Sequence, residues 1–145
     1  MKRTVILSAL LACFLMSCNS QRNINKSKET SNSITNKEWI AIELDNEKIE
    51  QLEMNRFPNL TLSEGKITGY SSCNRMNGTY TLEKEKITFG AIAVTKMMCF
   101  DTSELESKFL KALSEVQFWE CKQGKLFFLN DKKQRIIVFE EKSTK

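Results

Sequence analysis

The 145-residue chain contains no histidine, and this absence narrows the chemistry that the protein can perform. Histidine is the commonest general base near neutral pH and a frequent ligand of catalytic zinc. It is also the base in the usual serine and cysteine protease triads. An enzyme built from this chain would have to use carboxylates, lysines or thiols, and these form no catalytic constellation in the sequence. We therefore expect a protein that is not an enzyme and that needs no cofactor.

Long apolar runs are scarce, and the longest one stands at the start of the chain. Residues 4–16 are almost entirely apolar, but 13 residues cannot cross a hydrocarbon core of ~30 Å as a helix. Lys2 and Arg3 precede this run, and Leu15-Met16-Ser17-Cys18 has the form of a lipobox. The pattern predicts a lipoprotein signal peptide over residues 1–17 and lipidation at Cys18.

Two other interpretations of the N-terminus remain open, an ordinary secretory signal and cleavage before Cys13. Cleavage before Cys13 would shorten the apolar run to about eight residues and would leave residues 14–16 exposed. We prefer Cys18, whose lipid would attach the protein to a membrane of the cell envelope. Residues 19–22 lack the acidic cluster of some surface-exported lipoproteins, so we expect an outer-membrane anchor facing the periplasm.

The residues that follow Cys18 divide into a tether, a domain and a tail. Residues 18–36 are nearly all polar and cannot bury enough apolar surface to offset their ordering entropy. We interpret them as the lipidated N-terminus and a flexible tether. Residues 37–141 have the size of one small domain with a single core, and residues 142–145 are expected to form a disordered tail.

Charge of either sign is never concentrated in one part of the chain. The sequence has 22 Lys and Arg against 18 Asp and Glu, a net charge of +4. No basic run stands beside a ladder of stacking aromatic residues, as nucleic-acid binding would require. We expect no nucleic-acid partner.

Proline is almost absent, and short β-prone segments separated by turn residues follow the tether. Gly65 and the charged residues 83–86 mark hairpin turns. The predicted strands cover residues 39–44, 60–62, 67–70, 79–82, 87–89, 91–98, 117–121, 126–129 and 135–139.

One helix is expected from Ser103 to Leu113 or Glu115, because apolar residues recur at helical spacing. Ser103 and Glu106 fit a capping box. The predicted fold is mainly β, of the α+β class. It is a curved antiparallel sheet or partly closed barrel of about eight short strands with one helix packed against it.

Three cysteines remain once the signal peptide and Cys18 are set aside, namely Cys73, Cys99 and Cys121. An oxidising envelope favours one disulfide and one free thiol, and these residues alone leave the pairing open. The cysteines at 73 and 99, with Met76 and the pair Met97-Met98, could also form a soft Cu(I) ligand set. Methionines in a β segment are more often core filler, and we prefer that interpretation.

Three stretches of the sequence resemble a known family. They are residues 69–80, which contain Ser-Ser-Cys-Asn-Arg and Asn-Gly-Thr-Tyr, residues 87–90, and Thr-Lys-Met-Met-Cys at 95–99. Together they resemble the META domain of HslJ-type bacterial heat-inducible envelope lipoproteins. The chain departs from the family pattern at Ser72, where a glycine is usual, and at Cys121. The matching positions are Trp39, Cys73, Asn74, Gly78, Tyr80, Thr95, Met97, Cys99, Glu106, Phe109, Leu113, Leu126 and Phe128.

The resemblance implies a small, mostly antiparallel β fold with a packed helix and a Cys73–Cys99 disulfide. Such a bridge would add on the order of 3 kcal/mol to stability. META-domain proteins are associated with heat shock and antibiotic tolerance, without a settled biochemical activity. We therefore expect a stress-related binding or maintenance role in the periplasm, with an unidentified envelope protein as partner.

Polar residues beside the implied bridge form a candidate recognition loop, namely Asn74, Arg75, Asn77, Thr95 and Lys96. The alternative is that Asn74 and Thr95 only satisfy turn backbone.

A second class of function is a copper handler or an uncharacterised enzyme that uses thiols or carboxylates. Carboxylate pairs occur at Glu104 and Glu106 and at Glu83 and Glu85. A helix N-terminus explains the first pair, and a solvated turn explains the second.

Overall fold

The computed structural model describes residues 34–50, 56–99 and 102–143. The predicted signal peptide, Cys18 and most of the tether lie outside these ranges. Among the described residues, no helix has the length and apolar character needed to span a membrane.

Ten strands and one helix make up the described part of the chain. In order they are β1 (Glu38–Leu44), β2 (Glu47–Lys48), β3 (Asn59–Ser63), β4 (Lys66–Tyr70), β5 (Arg75–Glu83), β6 (Lys86–Phe89), β7 (Ala93–Val94), α1 (Ser103–Glu115), β8 (Phe118–Lys122), β9 (Lys125–Leu129) and β10 (Arg135–Glu141).

Eight strands form a closed antiparallel barrel. Their order is β1-β3-β4-β5-β6-β8-β9-β10, and β10 pairs back to β1. The two shortest strands lie outside this ring, with β2 paired to β1 and β7 paired to β5. The predicted mainly-β class is confirmed, and the sheet closes fully where a curved sheet or partly closed barrel was expected.

The hairpins form where the turn residues predicted them. At the β3–β4 turn, Glu64 and Gly65 both adopt positive φ, at 49° and 75°. At the β8–β9 turn, Gln123 and Gly124 do the same, at 53° and 74°. Positive φ at both central residues suits the twist of a tight two-residue hairpin. Strands β8, β9 and β10 form the predicted meander.

The predicted strand over residues 91–98 is wrong in length, since only Ala93–Val94 is regular. Both β6 and β7 pair with β5, and residues 90–92 bend between them. Gly78 on β5 permits this bend, because a Cβ there would lie 2.8 Å from the Ala91 carbonyl oxygen. Beyond Val94 the chain continues beside Arg75, whose carbonyl accepts a hydrogen bond from Thr95 N at 3.0 Å.

The barrel interior and the apolar face of α1 share one core. Phe109 of α1 is fully buried and meets the ring of Phe139 edge to face, at 6.4 Å between centroids. Phe139 in turn contacts Phe128 at 5.1 Å. Such edge-to-face pairs stabilise a core beyond their buried area. The predicted apolar face of the helix is confirmed at its buried residues Phe109, Ala112 and Leu113, followed by Val116.

The domain extends beyond both of its predicted ends. Ile34 is fully buried, and its carbonyl accepts a hydrogen bond from the Trp39 indole N–H at 2.8 Å. Asn36 N donates to the Leu62 carbonyl at 2.8 Å. At the other end, Lys142 N donates to the Glu38 carbonyl at 2.8 Å. The predicted boundaries at residues 37 and 141 are therefore corrected outward, because an apolar side chain and sheet hydrogen bonds hold the flanking residues.

Candidate functional site

A disulfide joins the loop after β4 to the segment after β7. Cys73 and Cys99 are bonded, with their Cα atoms 6.0 Å apart and a sequence separation of 26. This is the pairing that the family resemblance implied. Cys121 on β8 is a free, half-buried thiol that packs against the core.

Next to the disulfide, the buried side chain of Asn74 pairs with the backbone of Met97. Asn74 is only 3 % exposed. Its Oδ1 accepts a hydrogen bond from Met97 N at 2.6 Å, and its Nδ2 donates to Met97 O at 3.2 Å. Thr95 Oγ1 donates to the same Oδ1 at 2.9 Å and accepts from Arg75 N at 3.1 Å. The segment after β7 is thus attached to the barrel by one asparagine as well as by the disulfide.

Glu106 of α1 completes this network from the helix side. Its carboxylate accepts hydrogen bonds from Asn74 N at 3.2 Å, from Asn74 Nδ2 at 3.0 Å and from Ser71 Oγ. The predicted capping box is therefore wrong. The helix N-cap is Thr102, which makes no side-chain cap bond, and the Glu106 carboxylate anchors α1 to the loop instead of capping it.

Ser72 occupies a backbone conformation that favours glycine. Its φ is 100° and it is 3 % exposed. A positive φ is strained for a residue other than glycine. The Ser72 hydroxyl donates a hydrogen bond to the Arg56 carbonyl at 3.0 Å. The chain thus keeps a left-handed conformation at the residue where it departs from the family pattern.

The side chains of Met97 and Met98 form an apolar ridge on the segment after β7. These side chains are 59 % and 82 % exposed, and Tyr70 at 40 % is the other exposed large hydrophobic residue of the described chain. Interpreting the methionines as core filler is correct for Met76, which is buried, and wrong for this pair. Hydrogen bonds hold the Met97 backbone against Asn74, and the two side chains are left in solvent.

Two grooves flank the ridge, and both are lined by Met97, Met98 and Cys99. The first groove, of about 560 Å³, lies between this segment and α1 and is also lined by Val94 and Leu110. The second, of about 610 Å³, lies on the other side and is also lined by Tyr70, Phe57, Arg56 and Lys142. Each has the volume of an ordinary ligand site.

A family model described as the META domain matches residues 32–143, a range that includes every described strand and the helix. The chain belongs to the META domain family. The resemblance found in the sequence is thereby confirmed. A search of curated proteins finds no match to the chain.

Solved structures similar to this META domain share its fold at low sequence identity. An NMR structure of a protein from Burkholderia xenovorans matches with a TM-score of 0.63 and 20 % identity, covering 80 % of this chain and 88 % of that chain. A crystal structure of a duf4847 family protein from Bacteroides vulgatus matches with a TM-score of 0.59 and 15 % identity, covering 77 % and 96 %. At these identities the likeness establishes the fold alone.

Three polar residues of the META motif belong to one hydrogen-bond network, which explains why they occur together in the motif. Asn74, Thr95 and Glu106 come from the β4–β5 loop, the segment after β7 and α1, and they are joined by the hydrogen bonds described above. A polar residue in a turn gives no sign in the sequence that its side chain is buried. The recurrence of these three in the family pattern was the one available signal.

The structure separates the members of the predicted recognition loop. Asn74 is buried and is bonded to Thr95, which is exposed, and both side chains also make hydrogen bonds to the loop backbone. Arg75, Asn77 and Lys96 are exposed, and Arg75 lies over the Tyr70 ring at 5.5 Å. Recognition by this loop stays a prediction, now resting on its exposed side chains.

The two cysteines and the two helix carboxylates considered for metal or acid–base chemistry have other partners. Cys73 and Cys99 are bonded to each other, so their sulfurs are not thiolates. Glu104 lies 2.8 Å from Lys108, and its hydrogen bond to that ammonium lowers the pKa of the Glu104 carboxyl. The described residues contain no cluster of three or more His, Cys, Asp or Glu that could hold a metal ion.

Proposed function

We propose that this META-domain protein is a lipid-anchored, non-enzymatic protein of the cell envelope that binds other polypeptides under stress. One observation carries the proposal. The three exposed large hydrophobic side chains of the described chain, Tyr70, Met97 and Met98, all line the second groove.

Clustered apolar side chains at a surface favour contact with a partner. Single exposed apolar residues are ordinary, whereas contiguous apolar patches mark interaction sites. Methionine is flexible and polarizable and is common on surfaces that accept varied partners. A surface with these properties fits partially unfolded chains, which expose apolar side chains of many shapes.

The ridge is held in place before any partner arrives. The Cys73–Cys99 disulfide and the Asn74 hydrogen bonds fix the backbone that carries Met97 and Met98. Binding to a fixed surface costs less ordering entropy than binding to a mobile loop. The rigid backbone with adaptable side chains supports a binding role.

The proposed location rests on the N-terminal sequence and on the disulfide. Lys2, Arg3, the apolar run and Cys18 have the order of a lipoprotein signal. Disulfides persist in oxidising compartments and are rare in the cytosol. An anchor in the outer membrane facing the periplasm accounts for both features.

The anchor is tested by metabolic labelling of the full chain with radioactive palmitate. We expect label in the membrane fraction for the parent protein and neither label nor membrane association for Cys18→Ala. A Cys13→Ala variant is the matched control and should be labelled normally. Label that survives Cys18→Ala would overturn Cys18 as the lipidated residue.

The binding role is tested by aggregation of a heat-denatured protein, followed by light scattering. The parent protein should suppress scattering, and Met97→Ser with Met98→Ser should lose most of that suppression. Glu83→Ser with Glu85→Ser changes two exposed residues of the β5–β6 turn and serves as the control. Equal suppression by both double variants would show that the ridge does not bind, and no suppression by the parent would reject the role.

A further inference from the structure

We propose that a partner binds as an added β-strand along residues 95–98, in the groove between this segment and α1. The partner is an extended peptide segment that carries apolar and acidic side chains in alternation. This inference rests on the proposed binding function, and it specifies the backbone conformation and the chemistry of the bound chain.

Hydrogen bonding along residues 95–98 has the period of a strand at the edge of a sheet. Thr95 N donates inward to Arg75 O at 3.0 Å, and both Met97 N and Met97 O bond inward to the Asn74 side chain. The backbone groups of Lys96 and Met98 have no hydrogen-bond partner among the described residues. In a strand, successive peptide groups point to opposite edges. Lys96 and Met98 therefore offer free backbone donors and acceptors on the outer edge.

An unpaired strand edge is a template for another chain, and proteins usually cover or shorten such edges. Here β7 contributes only Ala93–Val94, and the Asn74 side chain takes the place of a neighbouring peptide group beyond it. The edge thus continues past the last regular residue. An extended peptide can satisfy it by main-chain hydrogen bonds, the mode known as β-augmentation.

The first groove provides room for the side chains of an added strand. It measures about 560 Å³ and lies between the free edge and the α1 residues Ser103, Glu106 and Leu110. Val94 and Leu110 are half-buried and give this groove an apolar lining. Alternate side chains of an added strand would point into the groove, and the others would point to solvent.

Charge near the groove favours carboxylates on the solvent side of the peptide. Lys96 lines this groove and is exposed, whereas Glu106, which also lines it, is bonded to Asn74 and Ser71. Glu104 is paired with Lys108. No carboxylate of the described residues forms an ion pair with Lys96. Complementary charge would raise the association rate and select acidic segments.

The probe is a fluorescein-labelled octapeptide in which glutamate alternates with valine or leucine, titrated into the full mature chain and followed by anisotropy. A second probe has lysine at every glutamate position. Two further probes carry N-methyl groups on alternate amides, one on each edge of the strand. N-methylation removes a donor without changing any side chain.

We expect the acidic probe to bind, the lysine probe to bind more weakly, and one of the two N-methylated probes to lose about ten-fold in affinity or more. Equal binding by both N-methylated probes would overturn strand addition, because only one edge of a peptide can pair with residues 95–98. No binding by the unmethylated acidic probe would overturn it as well.

A pair of protein variants tests the same edge from the other side. Lys96→Ala removes the charged side chain and keeps the outward N–H. Lys96→Pro removes the charged side chain and the N–H, a change that an edge strand tolerates. We expect Lys96→Ala to weaken binding about three-fold and Lys96→Pro to weaken it about ten-fold further. Equal affinities of the two variants would reject the backbone contact.

The inference and the proposed function fail in different ways. Loss of aggregation suppression in Met97→Ser with Met98→Ser, together with unchanged binding in Lys96→Pro, would retain the ridge and reject strand addition. Amide resonances of Lys96 and Met98 that gain exchange protection with the acidic probe would support the inference. Protection of neither amide in the saturated complex would contradict it.

Discussion

The side-chain amide of Asn74 meets the peptide groups of Met97 as a neighbouring strand would. Its Oδ1 accepts from Met97 N at 2.6 Å and its Nδ2 donates to Met97 O at 3.2 Å. A primary amide is the side chain that presents a donor and an acceptor with this spacing. Asn74 thus imitates a peptide unit of a neighbouring strand.

Replacing Asn74 should therefore destabilise the fold. Asn74→Ala leaves the part-buried backbone groups of Met97 unpaired and should cost about 3 kcal/mol of unfolding free energy. Asn74→Asp should cost at least as much, because it removes the donor and places a second carboxylate against Glu106. Urea unfolding measures both. Asn77→Ala, an exposed change on β5, is the control and should stay within about 0.5 kcal/mol of the parent.

Ser72 should tolerate glycine better than alanine. Both changes remove the hydrogen bond to the Arg56 carbonyl. The φ of 100° is strained for alanine, whereas glycine adopts it without strain. We expect Ser72→Gly to be about 1 kcal/mol more stable than Ser72→Ala in urea unfolding. At Thr68, an exposed position within β4, the same pair should rank in the opposite order. If the alanine variant were the more stable of the two at both positions, the backbone at Ser72 would not be strained.

Removing the disulfide should lower stability without abolishing the fold. Cys73→Ala with Cys99→Ala releases a loop of 26 residues and should cost about 3 kcal/mol if loop entropy dominates. The Asn74 hydrogen bonds remain to hold the segment after β7, so a cooperative transition should persist. Cys121→Ala is the matched control and should change the midpoint far less. A non-cooperative transition in the double variant would contradict this.

Tyr80 should make the protein less stable at alkaline pH. Burial raises the pKa of the Tyr80 hydroxyl, and a backbone hydrogen bond involving Gly65 opposes part of that rise. The folded state therefore holds this proton more tightly than the unfolded chain does. The resulting contribution is constant below pH ~10 and is lost as the pH rises through the folded pKa. Tyr80→Phe should flatten the fall in unfolding free energy between pH 9 and 12, by at most about 1.4 kcal/mol per pH unit.

The fold was largely predictable because its hairpins are local. Turn residues at 63–66 and 123–124 and alternating apolar residues identify the β3–β4 hairpin and the C-terminal meander directly. Closure of the barrel has no such signal, since it joins β1 to β10 across the whole length of the domain. Nothing near Trp39 or Phe139 specifies the other strand as its partner.

The candidate site was predicted less well, for two physical reasons. The Met97-Met98 pair was assigned to the core by residue type, yet the Asn74 side chain takes up the adjacent backbone and leaves both side chains in solvent. Glu106 was assigned to a local capping box, yet it bonds to residues more than 30 positions away, Asn74 and Ser71. Local patterns do not reveal a side chain whose partner lies on a distant segment.

Because β1 pairs with β10, the two ends of the domain lie side by side, and the chain termini could be placed elsewhere in the ring of strands. Trp39 pairs with Glu141, and the pairs Lys37–Glu141 and Lys142–Glu38 lie at 2.7 and 2.9 Å where the first and last strands run side by side. A short linker could join these neighbours, and the exposed turn at Lys84 could be opened instead. A circular permutant of this kind should fold to the same barrel. The cyclic succession of strands, and not the position of the first residue, defines the architecture.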